Sequence, residues 1–442
     1  MAATEKELFN GGASSVLYTD RRNFYIDPQT VHELWTDVAP FTTMISSMGS
    51  RSTNDPLFKM FEHRNPWIKQ EFVLGTNAGA LAAGDTESDA CTPTDIVGLP
   101  AVDSSWVGLV CEVWDSTKTT NRGNVIISSV SGSTIDFKNL SNAEIDATAT
   151  DILVVVGNAH GEGTEAPDAW ADELKVVYNS CQIFKTPLQI TGTLLQAALR
   201  GEASELERLR LQKNQEHKIQ KERAFLFGSR VGGTGLGESH GVGDETFTDG
   251  GTTTVGDMSG NLVRTTYGIV AAINDYGISS STADNQNIFT VDSSYGYGNF
   301  VDDMEKVFQY VPTSGVKRAF CGAGALGYWS KMAAASGMAG NSGWTVNLGD
   351  MKRDALGFNY RVLETPHGML QLIPTPAMRG PYNKYMLCVD DSNLFHAQYR
   401  APMYQTNIKT DNAFDAVKDQ YFSDEGIGIS LIDSHSLFKI TA

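Results

Sequence analysis

Two short strings in this 442-residue chain have the residue types and spacing of catalytic motifs. Gly322-Ala-Gly324-Ala-Leu-Gly327 is a G-x-G-x-x-G that follows an apolar run, Val316–Cys321, and precedes a helix-forming stretch. In a dinucleotide fold such a turn sets a pyrophosphate against a helix N-terminus. A βαβ unit also needs a second strand ending in an acidic residue about 20 positions on, and no clear one follows, so a plain strand-to-helix turn is expected. Gly237-Glu-Ser239-His-Gly241 is a G-x-S-x-G. A nucleophile elbow needs a strand before the serine and a helix after it. Ser239 instead lies between glycine-rich segments, which predicts a loop.

Other chemistry-bearing residues read the same way. The eight histidines are scattered, without H-E-x-x-H or another paired ligand spacing. Asp302, Asp303 and Glu305 could hold a cation, but they fall in the first turn of a helix predicted over 299–310, where carboxylates complement the dipole. Asp390-Asp391, after a strand, reads as a turn. Arg208, Arg210, Lys213, Lys218 and Lys221 place five cations on one helix, a candidate nucleic-acid stripe. They are interleaved with Glu205, Glu207, Glu216 and Glu222, which favours ion pairing instead. No catalytic residue, cofactor or metal is expected, and the chain does not read as an enzyme.

Composition narrows the classes further. The formal charge of -18, from 34 basic and 52 acidic residues, argues against whole-surface affinity for nucleic acid or anionic membrane. A hydrophobic share of 41% supports substantial cores, and 43 glycines favour turns and strands over helix bundles. Five dispersed cysteines without a C-x-x-C pair point to free thiols in a reducing compartment. The longest aliphatic run, Ile152–Val156, is far short of a membrane span, and the N-terminus has no signal-peptide pattern.

The elements that carry these residues are more telling than the motifs. Residues 1–50 read as an extended arm with one helix, opened by Asp27-Pro28, carrying Val31, Leu34, Trp35 and Val38, and closed by Pro40. Strand-like runs at 57–64 and 67–74 begin a hairpin that occupies 51–96 and 158–177. Between them, 97–157 holds four apolar runs (Val107–Trp114, Val125–Val130, Thr134–Leu140, Asp151–Val156) separated by short turns, the pattern of a small all-β barrel or sandwich. A β-like run from Tyr178 to Thr193 leads to a helix over 202–227 with no proline or glycine. At 1.5 Å per residue that helix is about 39 Å long. Its apolar stripe is thin: Leu206, Leu209 and Ile219 are separated by Lys213, Asn214, Glu216 and His217, so much of the rod is not expected in an ordinary core. A glycine-rich loop (229–257) follows, then helices at 261–276, 299–310 and 325–335. Strands are predicted at 358–364, 369–373, 384–390 and 394–405, with a last one at 426–431. This mixture is α+β.

The order of parts resembles the tailed-bacteriophage major capsid protein of the Hong Kong 97-type fold. The run Tyr178–Thr193, the helix end Glu222-Arg-Ala-Phe-Leu-Phe-Gly228 and the segment Arg264–Ile273 carry the resemblance most clearly. It implies an N-arm (1–50), an E-loop hairpin (51–96 and 158–177) with a small all-β module inserted (97–157), a P-domain with the spine helix (178–260), an A-domain (261–405) and C-terminal strands returning to the P-domain (406–442). It also implies pentamers and hexamers that close an icosahedral shell around double-stranded DNA, bound without sequence specificity. Portal, scaffold and decoration proteins would be partners, and no membrane. The chain would assemble in a host bacterial cytoplasm and end in the virion. Under this resemblance the hairpin aromatics Phe58, Phe61, Trp67 and Phe72, and the helix charges Glu205, Arg208, Arg210, Lys213, Glu216 and Lys221, become contacts between subunits. No cleaved N-terminal scaffolding region is expected, and no Lys–Asn cross-link from Lys59 or Lys69. An encapsulin-like compartment, or a virion decoration or tail protein built around the β module, are the alternatives.

Overall fold

A computed structural model of the chain describes residues 39–63, 69–171, 174–196, 204–229, 247–248, 262–280, 285–310, 315–338, 352–353, 359–408 and 415–441. It divides into two compact units, Met1–Met60 with Val176–Ala442, and Phe61–Lys175. The first unit opens with α1 (Pro40–Ser47), β1 (Ser50–Ser52) and β2 (Leu57–Glu62). Pro40 starts a helix; proline's fixed φ and missing N–H suit a first turn. The helix expected before it lies outside the described residues.

The 61–175 unit contains β3 (Glu71–Leu74), β4 (Gly79–Leu81), β5 (Pro93–Val97), β6 (Leu109–Trp114), β7 (Asn121–Ser131), β8 (Thr134–Asn139), β9 (Ile145–Ala147) and β10 (Ile152–Asn158). Six of them form an antiparallel sheet ordered β5-β3-β10-β6-β7-β8, and β4 pairs with β9. The sheet's outer strands are joined by one stretch of chain. Glu87 and Cys91 bridge to Lys138 and Ile135 of β8, and the same stretch continues into β5. Tying both edges together in this way leaves little open edge. Alternation along β8 puts Ile135 and Phe137 inside, with Phe72, Trp106, Val113, Val125 and Leu153. The unit is larger than the 97–157 module expected from sequence, because β3 and β5, assigned to the hairpin, pair into the same sheet.

The chain returns to the first unit through β11 (Lys175–Ser180), which pairs with β2. There follow β12 (Gln182–Thr191), α2 (Gly192–Gln196), the long α3 (Glu205–Phe227), the short pair β13 (Phe247–Thr248) and β14 (Leu262–Val263), α4 (Ile269–Tyr276), β15 (Ile288–Val291) and α5 (Tyr297–Val307). The rest is β16 (Val316–Cys321), α6 (Ala323–Met338), β17 (Lys352–Arg353), β18 (Asn359–Thr365), β19 (Gly368–Pro374), β20 (Tyr385–Val389), β21 (Leu394–Gln405), β22 (Ala416–Ile429) and β23 (Ser436–Ile440).

Two sheets organise this unit: four strands ordered β1-β21-β22-β12, and seven ordered β15-β23-β20-β16-β19-β18-β17. The chain crosses between them twice near its end, which moves two expected boundaries. β21, expected with the A-domain, pairs with β22 in the sheet under α3. β23, expected to return to that sheet, instead lies between β15 and β20. A central strand is covered on both faces and reads as a continuous apolar run. Leu437 joins one core, while Phe438 and Ile440 join the other. Phe438 stacks on Phe289 with ring centroids 4.6 Å apart.

Where α3 ends, backbone meets backbone. Gly268 N donates to Gly228 O at 2.7 Å, and a Cβ on Gly268 would fall 2.6 Å from Gly228 N and 2.8 Å from Leu226 C. Gly268→Ala should therefore lower stability by about 1–3 kcal/mol through overpacking. Gly298→Ala, in open space inside α5, should raise it by about 0.5–1 kcal/mol. Thermal unfolding of the two variants checks the pair, and equal midpoints would contradict the close approach.

Candidate assembly element: the long helix on its sheet

Helix α3 begins with Ser204, whose Oγ accepts from Glu207 N at 3.4 Å, and Glu205 and Glu207 complement the dipole in its first turn. Its 23 residues span about 35 Å. It packs on β12 and β22. Only its last turns bury an apolar face, Phe225 and Leu226. Further back, the buried positions are His217, Lys221 and Glu222.

The sheet answers these with polar groups of its own. The His217 ring nitrogens lie 2.9 Å from Thr186 Oγ1 and 3.0 Å from Ser423 Oγ. Burial, aided by the Lys221 charge, pushes His217 down to about 4, so it is neutral at pH 7. Lys221 Nζ donates to Glu425 Oε2 at 3.1 Å, and His396 Nε2 lies 3.4 Å from the same oxygen. Burial opposes ionisation of Glu425, but the His396 hydrogen bond and the Lys221 charge outweigh it and hold the carboxyl below its usual range. His396 Nδ1 reaches Ser50 Oγ at 2.9 Å, which extends the network to β1. Towards the helix start, Arg210 Nη2 donates to the buried Asp419 at 3.0 Å, and its Nε donates to Tyr404 Oη at 2.7 Å.

Glu222 does a different task. It accepts from Phe41 N (3.2 Å), Thr42 N (2.7 Å) and Thr42 Oγ1 (2.8 Å), the first-turn donors of α1, which has no capping side chain of its own. The long helix thereby caps the helix that follows the N-terminal segment. Burial raises the Glu222 carboxyl to about 7 against the pull of these three bonds.

The structure redistributes the expected contact residues. Phe58 is buried with Cys181, Ala397 and Phe395, and Phe72 lies inside the 61–175 core, so neither is an exposed aromatic. Phe61 is 75% exposed, and Trp67 lies outside the described residues. Lys221 and Arg210 are committed to Glu425 and Asp419 of their own sheet. Glu205 pairs with Arg208 (Nε to Oε2, 3.0 Å) and Lys213 with Glu216 (2.7 Å) along the helix. Within the subunit each of these charges thus already has a partner. The network residues missed from sequence are Glu222, His217, His396, Asp419 and Glu425. Spacing held a signal, since Arg210, His217, Lys221 and Phe225 recur at seven, four and four residues, one face of a helix.

The G-x-G-x-x-G string is a structural turn. Gly322-Ala-Gly324 is the turn from β16 into α6, and Asn383 fills the helix N-terminus: its Oδ1 accepts from Gly324 N at 3.1 Å and its carbonyl from Ala325 N at 3.2 Å. Ser239 lies outside the described residues. Asp302 and Asp303 do not sit in a first turn, because α5 starts at Tyr297; Asp303 accepts from Tyr295 Oη at 2.6 Å. Asp390 caps a short 3-10 turn through Ser392 N. Among the described residues, no group of three or more His, Cys, Asp or Glu could hold a metal ion, and no helix is long and apolar enough to cross a membrane.

Two outcomes follow from the buried network. Lys221→Met leaves Glu425 charged and buried, and should cost about 3–5 kcal/mol, whereas adding Glu425→Leu should recover most of the loss; chemical denaturation of both variants checks it. Because Glu222 titrates higher folded (about 7) than unfolded, its contribution is fully present below its unfolded pKa and lost as pH rises through about 7. Wild type should therefore lose stability relative to Glu222→Gln between pH 5 and 8, roughly the window those pKa values define. Parallel pH profiles for the two proteins would refute that assignment.

Comparison with known proteins places this architecture. No curated protein matches the sequence. Among solved structures, the capsid of the native GTA particle aligns over 98% of this chain and 99% of its own at 8% identity, with a TM-score of 0.44. Microbacterium phage Oxtober96 aligns over 96% of each chain at 11% identity and TM-score 0.39. The SrpI encapsulin complex from Synechococcus elongatus PCC 7942 aligns over 62% of this chain and 76% of its own at 8% identity and TM-score 0.35. These scores are all below 0.5, and the assignment rests on the family match. The model for the SU10 major capsid protein matches residues 29–428. That agrees with the α+β, Hong Kong 97-type capsid fold that the order of the sequence parts resembles, and the chain belongs to the SU10 major capsid protein family.

Proposed function

We propose that this major capsid protein closes into pentamers and hexamers that form an icosahedral phage head around double-stranded DNA. The family match over residues 29–428 carries the reading. The structure supplies a means. A helix is locked to its sheet by buried bonds, while its Leu211 stays 66% exposed. An exposed leucine midway along a charged rod gains about 1.5–3 kcal/mol when a neighbour covers it. Exposed Phe61 would gain similarly. The net charge of -18 suits a wall that holds DNA without binding it tightly. In this reading the chain has a structural role and no catalytic one. A portal and a scaffold would be its partners, and assembly would take place in the host cytoplasm.

Electron microscopy of purified particles should show an icosahedral wall built of this chain and filled with DNA. Shells holding protein cargo and no DNA would mean an encapsulin-like compartment, and small rings or trimers would mean a decoration protein. Leu211→Glu should leave the thermal midpoint of the subunit unchanged and cut shell yield by about tenfold or more, the effect of losing roughly 1.4 kcal/mol or more at each contact. Normal shell yield from that variant would remove Leu211 from the assembly contacts.

A further inference from the structure

The six-stranded sheet of the 61–175 unit is apolar on both faces. The inner face carries Phe72, Val113 and Leu153 into the core. Alternation turns the residues between them outward, and the register sets these in rows across neighbouring strands. Ile152 of β10 stands between Val73 of β3 and Trp114 of β6, and Val154 stands between Glu71 and Glu112. Val110 pairs with Ile126 further along. These apolar side chains are half-buried and belong to none of the apolar cores among the described residues. Val97, opposite Glu71, is 44% exposed, and Val156, at a bulge of β10, is 62% exposed. An antiparallel sheet with one solvated face alternates apolar-in and polar-out. A second apolar face therefore calls for a cover.

The charges within this face are already paired. Lys69 and Lys118 each lie 2.9 Å from Glu71, and Glu112 accepts from Trp114 Nε1 at 3.0 Å. Lys118 comes from the β6–β7 turn, so its stem adds apolar carbon to the face. Elsewhere the unit is strongly acidic: residues 61–175 hold 18 acidic and six basic residues, a net charge of -12. DNA is repelled by that charge and gains nothing from valine and tryptophan carbon. Two acidic units approach best through a surface whose carboxylates are neutralised and whose carbon gains from being covered, and this face is one.

The face also matches itself. A two-fold axis along β10 sets Val154 on Val154 and Ile152 on Ile152, and brings Val73 of one copy over Trp114 of the other, small against large. Sheets packed face to face lie about 10 Å apart with strands within about 30° of one another. We infer that the outer face of the six-stranded sheet pairs with the same face of a second copy, in an isologous contact centred on β10. Adjacent subunits of a closed ring meet head-to-tail, so within the proposed shell this two-fold contact joins subunits of different rings. That placement rests on the shell reading; the contact itself does not.

The five native cysteines are buried, so an introduced surface thiol reports its own neighbours. Full-length Val154→Cys and Val156→Cys subunits, mildly oxidised, should run as covalent dimers on denaturing gels. Ser133→Cys, exposed on the β7–β8 turn, should stay monomeric. Adding Val154→Glu to Val156→Cys sets two carboxylates against each other on the axis. It should cut the dimer fraction about tenfold while circular dichroism and the thermal midpoint stay at wild type. Raising salt from about 0.1 M shortens the Debye length below about 10 Å, screens the like charge of the two units and should hold or raise the dimer fraction. A fraction that falls with salt overturns the apolar contact, as does equal linking through Ser133→Cys. Shells that form normally with no link at either β10 position overturn it in favour of a separate protein covering the face. A link without shells would leave the contact standing and strike the shell reading instead.

Discussion

The Lys221–Glu425 pair sits where a helix with almost no apolar stripe must nevertheless pack against a sheet, and most of the first unit is arranged around that problem. A charged rod cannot be pressed onto an apolar surface, because each unpaired buried charge costs several kcal/mol. Strand β22 solves it by alternating Asp419, Tyr421, Ser423 and Glu425 toward the helix. Each meets a helix or sheet group of matching hydrogen-bonding sense: Arg210, the Arg210 carbonyl, His217 and Lys221. The bonds join residues about 200 positions apart in the chain.

Such a layer also sets register. A slip of β22 by one residue would turn Glu425 to the opposite face and leave Lys221 without its carboxylate. An apolar interface would tolerate that error more cheaply. The same logic extends to Glu222 and α1, since only one placement of the helix brings that carboxyl to Phe41 and Thr42. Rigidity of this kind is what a repeated wall element needs, because small angular errors accumulate from copy to copy.

Several features were legible in the sequence. The long helix, its β-like lead-in, the four apolar runs of the β module and the strands near 359–405 follow from propensity and periodicity, which are local. The turn at Gly322 was also readable as structure and not chemistry, since no acidic strand end accompanied it. The order of these parts carried the resemblance to a capsid protein that the family match then showed.

What the sequence determined alone, then, was the identity and order of the elements and their α+β character, because those depend on neighbours within a few turns or strand steps. Tertiary structure decided which strands share a sheet. β3 and β5 joined β10, β21 joined β22, and β23 entered the seven-stranded sheet. Strand pairing is long-range and leaves little trace in local pattern. It also decided the meaning of the helix charges. On sequence they looked like groups held out for neighbours or paired along the rod. In the fold, Arg210 and Lys221 are consumed by Asp419 and Glu425, because a buried charge is tolerable only opposite its partner, and the partner arrives from two hundred residues away.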